Sequence, residues 1–81
     1  MKPPLTKTQQ EIYRFIKRFW EVELRNPTLR DISTGTINGK QFVKSRTRAP
    51  VWSAIQRLKR KGYLEERYWN NVPYWVPSDE A

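Results

Sequence analysis

Apolar residues recur along the chain first with helical and then with alternating spacing. Ile12, Phe15, Ile16 and Phe19 follow the i, i+3, i+4, i+7 rule and predict one buried face of a helix from Thr6 to about Glu23. Thr6 and Gln9 fit a capping box, in which each side chain satisfies a backbone N–H near the other. Tyr13, Trp20 and Val22 flank the stripe, with Trp20 closing one edge of the core. Arg14, Lys17, Arg18 and Glu21 point outward. Asn26-Pro27 breaks the chain. Thr28 then caps a short helix to about Ser33, with Asp31 as its reciprocal partner and Leu29 and Ile32 facing inward.

A third helical stripe is formed by Val51, Ile55 and Leu58, with Ala54 beside it. It predicts a helix of about four turns within Ser45 to Gly62. Pro50 lacks an N–H and is tolerated in the first turn, so the helix begins just before it. Thr47 is the preferred N-cap and Ser45 the alternative, either hydroxyl accepting a first-turn N–H. Gly62 ends the helix in the left-handed region.

The remaining segments read as β-structure and turns. In Thr34 to Lys44, Asn38-Gly39 is a two-residue turn signal between β-prone residues. Either a short hairpin or an ordered loop is expected, anchored by Phe42 or Val43, with Lys40 and Lys44 beside the third helix. Tyr63 to Tyr68 reads as a strand, Trp69-Asn70-Asn71 as a turn and Val72 to Val76 as a returning strand with Pro73 at an edge. Lys2 to Leu5 is an extended lead-in and Pro77 to Ala81 a frayed acidic tail. No repeat or linker divides residues 1–81, so one domain is expected. Two strands joined by a tight turn after the third helix make a wing. The fold class is α+β: a winged helix-turn-helix of three helices and a C-terminal two-stranded hairpin.

Charge changes this picture from a fold to a function. The net charge is +8. From Ile32 to Leu64 there are eight Lys or Arg and no Asp or Glu, while the rest of the chain holds eight of each sign. The excess therefore sits on the third helix and its approach, whose polar side carries bases, hydroxyls and an amide. Such a helix is built to lie against a polyanion, and its width suits the DNA major groove.

Composition removes other classes. The chain has no cysteine and no histidine, so disulfides, thiolate metal sites and the commonest general base are absent. No nucleophile–base pair or Gly-rich phosphate loop is visible, so no enzyme, cofactor or small-molecule substrate is expected. Apolar runs are too short to span a membrane, and the N-terminus has no signal-peptide core. The expected location is the cytoplasm, on the nucleoid when bound to DNA.

Three stretches resemble the LexA repressor DNA-binding domain family. LTKTQQEIYRFIKRF, from Leu5 to Phe19, is similar to the opening of that family's first helix, with its Leu-Thr and Gln-Gln-Glu. PTLRDIS, from Pro27 to Ser33, resembles its Pro-Thr-x-x-x-Ile second helix. IQRLKRKGYLE, from Ile55 to Glu65, resembles the Leu-x-x-Leu-x-x-Lys-Gly end of its recognition helix and the first wing strand. The resemblance spans Leu5 to Tyr74 and implies a DNA-binding winged helix. Here the turn before the third helix is several residues longer. The residues in hand contain no counterpart of the family's Ser-Lys self-cleaving domain, so DNA binding without cleavage-triggered release is expected. The positions matching the family's base-reading turns are Thr47, Ala49, Pro50, Trp52 and Ser53. Their types differ from the family's, so any operator should differ.

The expected mode is docking of Ser45 to Lys61 in the major groove, N-terminal half deepest. Arg46 and Arg48 are candidates for guanine contacts or, equally, phosphate clamps. Thr47, Ser53 and Ser45 would bond phosphates or base edges. Trp52 would pack against Trp20 or the long loop, or meet a thymine methyl or sugar. Gln56, Arg57 and Arg60 would meet the backbone. The wing tip, Arg67 with Asn70 and Asn71, would reach flanking phosphates or the minor groove. A single winged helix buries little surface, so a homodimer or protein partner is expected for tight binding. Small size and charge fit a phage- or plasmid-type regulator. Two other modes use Tyr68, Trp69, Tyr74 and Trp75: docking on polymerase or another regulator, or stacking on RNA or single strands.

Overall fold

A computed structural model describes residues 3–78. Residues 1–2 and 79–81 lie outside them, and with them the expectations for Lys2 and for the acidic end of the tail. In chain order the elements are α1 (Lys7–Glu23), α2 (Leu29–Thr34), β1 (Thr36–Ile37), β2 (Lys40–Gln41), α3 (Arg48–Arg60), β3 (Leu64–Trp69) and β4 (Val72–Pro77). This is an α+β winged helix, with antiparallel hairpins β1–β2 and β3–β4. Pro77, expected in the tail, is the last residue of β4.

Each helix begins and ends for a local reason. Thr6 and Gln9 form the capping box of α1, and Leu24 ends that helix at φ 57°. Thr28 and Asp31 form the box of α2, which Gly35 ends. Thr47 occupies the N-cap of α3 by backbone geometry, yet its hydroxyl makes no capping bond. A capping oxygen bonds the N–H of the second or third helical residue. The third is Pro50, which has none. At the other end the Gly62 N–H donates to the Lys59 carbonyl at 3.0 Å and the Tyr63 N–H to the Leu58 carbonyl at 2.9 Å. That Schellman pair needs the positive φ of Gly62.

The core gathers Ile12, Phe15, Ile16 and Phe19 from α1, Ile32 from α2, and Val51, Ala54, Ile55 and Leu58 from α3. Leu64, Ile37 and Trp75 complete it. Two aromatic placements differ from the sequence reading. Trp20 is 48% exposed and does not close the core. Trp75 is 0% exposed and does. In β4 alternate residues face opposite sides, and Trp75 falls on the side turned to the helices. Gln9 is also buried; its side chain bonds the Thr6 N–H and accepts from Lys61 Nζ at 2.8 Å.

The long segment before α3 is an ordered hairpin. Asn38 and Gly39 both take positive φ, as a tight two-residue turn requires. Ile37 is buried, Val43 packs on the core, and the Phe42 ring lies 6.2 Å from that of Phe15. The Asn38 N–H donates to the Glu23 carboxylate at 2.8 Å. The hairpin therefore leans on the end of α1, and Lys40 lies with Arg18 and Val22 instead of beside α3. Gly35 is the pivot. Its carbonyl accepts from the N–H groups of Phe42 and Val43 at 2.8 and 3.2 Å. Its φ is +74°, and a Cβ there would drive into the Val43 carbonyl oxygen.

Gly35→Ala should therefore cost about 3 kcal/mol, combining left-handed strain with a backbone clash. Gly39→Ala has the strain but open space around it, and should cost about 1 kcal/mol. Urea denaturation of the two variants measures the difference.

Candidate nucleic-acid interface

The face that α3 presents outward follows from the face it buries. Val51, Ala54, Ile55 and Leu58 point into the core. At about 100° per residue, Ala49, Ser53, Gln56 and Arg60 lie on the opposite side, with Arg57 on one flank and Arg48 and Trp52 on the other. Arg48, Ser53, Arg57 and Arg60 are exposed. The Gln56 Oε1 accepts from Lys59 Nζ at 3.5 Å, while its Nε2 is buried without a hydrogen-bond partner.

The basic residues of the acid-free run separate into two groups. Arg46 is engaged internally: its Nη2 meets Glu11 Oε1 at 2.6 Å, and its side chain is 11% exposed. Its N–H donates to the Ser33 carbonyl at 2.8 Å. The guanine-contact role considered for Arg46 does not fit this placement, because its guanidinium ties the approach of α3 to α1. Lys59 Nζ meets Glu66 at 3.1 Å. Lys61 Nζ donates to Gln9 at 2.8 Å and to the Pro4 carbonyl at 3.0 Å. Arg48, Arg57 and Arg60 have no ion pair among the described residues. Lys44 and the hydroxyl-bearing Ser45 and Thr47 are exposed along the approach to α3.

The wing is fixed to α3 by its inner face. Cross-strand pairs Glu66–Trp75 and Tyr68–Pro73 alternate with Arg67–Tyr74 and Trp69–Val72. The Glu66 carboxylate receives Lys59 Nζ and Trp75 Nε1, each at 3.1 Å, and the Tyr68 hydroxyl at 2.7 Å. Trp52 meets Trp75 edge-on at 6.0 Å. Its partner is thus a wing residue, not Trp20 or the long loop, and its ring stays 43% exposed. Asn70 and Asn71 both take positive φ and form the tip. Arg67 pairs with Glu65 at 3.4 Å on an exposed face. Trp69 is 72% exposed. With Trp75 buried, the aromatic surface once expected of four rings is smaller by one.

The bonded carboxylates are shifted by their partners. Glu66 is lowered from its ordinary value, first by the Tyr68 hydroxyl; burial opposes this, and the bonds from Lys59 and Trp75 add to the lowering. The Arg46 hydrogen bond lowers Glu11. Burial pushes Asp31 up, but the Thr28 N–H, Arg25 and the Thr28 hydroxyl together hold it down.

One basic residue near the site lies outside the acid-free run. Arg30, exposed on α2, shares a cleft with Arg48, Trp52, Val72 and Pro73. Beside Asp31 it looks neutralised in sequence. Asp31, however, bonds Arg25 at 3.0 Å and caps its own helix.

A profile of the family described as LexA DNA binding domain matches residues 1–69. The chain belongs to this family. The match takes in all three helices, the β1–β2 hairpin and β3, ending where the wing turns. No curated protein and no solved structure matches the chain. A LexA-type domain is a non-catalytic DNA-binding domain of repressor-like regulators, so DNA is the partner of this one. No helix of the described residues is long and apolar enough to cross a membrane.

The lowered carboxylates make the LexA-type fold acid-sensitive. A carboxyl whose folded pKa lies below its unfolded value stabilises fully above the unfolded value and loses that stabilisation as pH falls through the folded one. Unfolding free energy should therefore decline between about pH 5 and pH 3. Glu66→Gln should cost about 1 to 2 kcal/mol at pH 7 and progressively less toward pH 3. Urea titrations at stepped pH measure both slopes.

Proposed function

We propose that this domain is a sequence-reading double-stranded DNA regulator of the repressor type, with α3 in the major groove. The observation that carries the reading is the division of cations. Those tied to carboxylates or carbonyls lie where α3 meets α1 and the wing, while Arg48, Arg57 and Arg60 are left on its solvent side. An apolar face locked into the core aims Ser53 and Arg60 outward together. The Ser53 hydroxyl is suited to a base edge, while the Gln56 Nε2 is buried and only its Oε1 side faces a neighbour, Lys59. Arg57 and Arg60 face the backbone, where contacts supply affinity without sequence information. Ser45, Thr47 and Lys44 line the approach, and Arg67, Asn70 and Asn71 reach the flanking backbone from the wing. Arg46 positions α3 through Glu11 and reads no base.

A second reading is protein docking through the outer face of the wing, favoured by the exposure of Trp69 and Val72 on that face. Trp69→Ala separates the two: it spares duplex binding in the groove mode and removes the docking surface.

With about five to seven phosphate contacts, the log–log salt slope for duplex DNA should be on the order of −5. Arg57→Ala/Arg60→Ala should weaken binding about 100-fold and flatten the slope by about two. Selection from a random duplex pool should enrich one motif with the wild type. Absence of duplex binding at low salt overturns the groove mode.

A further inference from the structure

We propose that the cleft between α2, the first turn of α3 and the wing is a phosphodiester site, in which Arg30 and Arg48 grip one backbone phosphate of the strand beside α3. The proposal rests on the duplex-DNA reading above and adds a contact from α2. Arg30 and Arg48 come from different helices and line the same cleft. Neither has an ion pair or hydrogen bond among the described residues. Two unneutralised guanidiniums facing one space repel each other, and the fold supplies no carboxylate between them. Asp31, the nearest acid in sequence to Arg30, is taken by Arg25, the Thr28 N–H and the Thr28 hydroxyl at 3.0 to 3.1 Å. An anion from outside satisfies both.

The rest of the cleft selects the kind of anion. Its walls are Trp52, Val72 and Pro73, apolar surfaces suited to a deoxyribose and poor at hydrating a small ion. The planar guanidinium fork fits two phosphate oxygens at once. Trp52 is held edge-on by the buried Trp75, so the wall is rigid before DNA arrives. Arg48 opens α3, and Trp52 follows one turn later. A phosphate at this point fixes how far along the groove the helix lies, and hence which base Ser53 faces.

The test uses the full chain with Arg30→Ala, Arg48→Ala and the double variant, on the duplex selected by the wild type. Both side chains are exposed, so the variants should keep the wild-type circular dichroism spectrum and melting temperature within a few degrees. The double variant should flatten the salt slope by about one, weaken specific and random duplexes by similar factors of about 10 to 100, and leave the selected motif unchanged. Ethylation of one backbone phosphate should weaken the wild type and make no difference to the double variant. A changed motif for Arg48→Ala would show a base contact and overturn the clamp. So would an unchanged slope, or ethylation interference that persists in the double variant. If the wild type itself binds no duplex, the underlying reading and the clamp fail together; if it binds and the double variant binds equally, the clamp alone fails.

Discussion

One carboxylate joins the wing to the helix it must accompany. Glu66 collects a lysine from α3 and an indole and a phenol from the hairpin. Isolated two-stranded hairpins are marginal in water, so the position of this one depends on what it leans against. Trp75 provides the area, buried completely against the core. Glu66 provides the register, because its partners are Lys59 in the last turn of α3, Tyr68 two positions along β3 and Trp75 directly opposite on β4. The same bonds remove Lys59 from the basic surface. The wing is anchored on one face, and its other face, with Arg67, Trp69, Val72 and Tyr74, is left for whatever approaches from outside.

The helices were legible because their signals are local. Thr6 with Gln9, Thr28 with Asp31, and the four-residue stripes of α1 and α3 each fit within a few turns of chain. The two Asn–Gly and Asn–Asn turns were legible for the same reason: few residue pairs tolerate two positive φ values. What sequence could not reveal is which of two similar side chains meets a distant partner. Trp20 and Trp75 have equal appetite for burial, and only the pairing of β3 with β4 turns the second one inward. The Thr47 hydroxyl makes no capping bond, and part of the reason was present in the sequence, since Pro50 removes one of the two N–H groups it could have bonded.

The candidate site was legible as a region and not as a set of residues. Counting charge located the basic helix, but counting does not tell a cation facing solvent from one facing a carboxylate. Arg46 and Glu11 are separated by 35 positions and meet at 2.6 Å. Their pairing makes Arg46 a strut between α1 and the approach to α3. Arg30 errs in the opposite direction: an adjacent aspartate makes it look neutral, although that aspartate is committed to its own helix cap.

The segment between α2 and α3 is held by its own bonds and by α1. Gly35 folds the segment back on itself, Gln41 bonds the carbonyls of Thr34 and Val43, and Glu23 holds the turn at Asn38. Arg46 then fastens the end of the segment to Ser33 and Glu11. The chain thus leaves α2, runs out as a hairpin beside α1 and returns to α2 at the Ser33 carbonyl. The hairpin residues pair with each other, so the start of α3 is tied back to the end of α2. The helix that follows is held from both ends, at its approach by Arg46 on Glu11 and at its close by Lys61 on Gln9 and the Pro4 carbonyl.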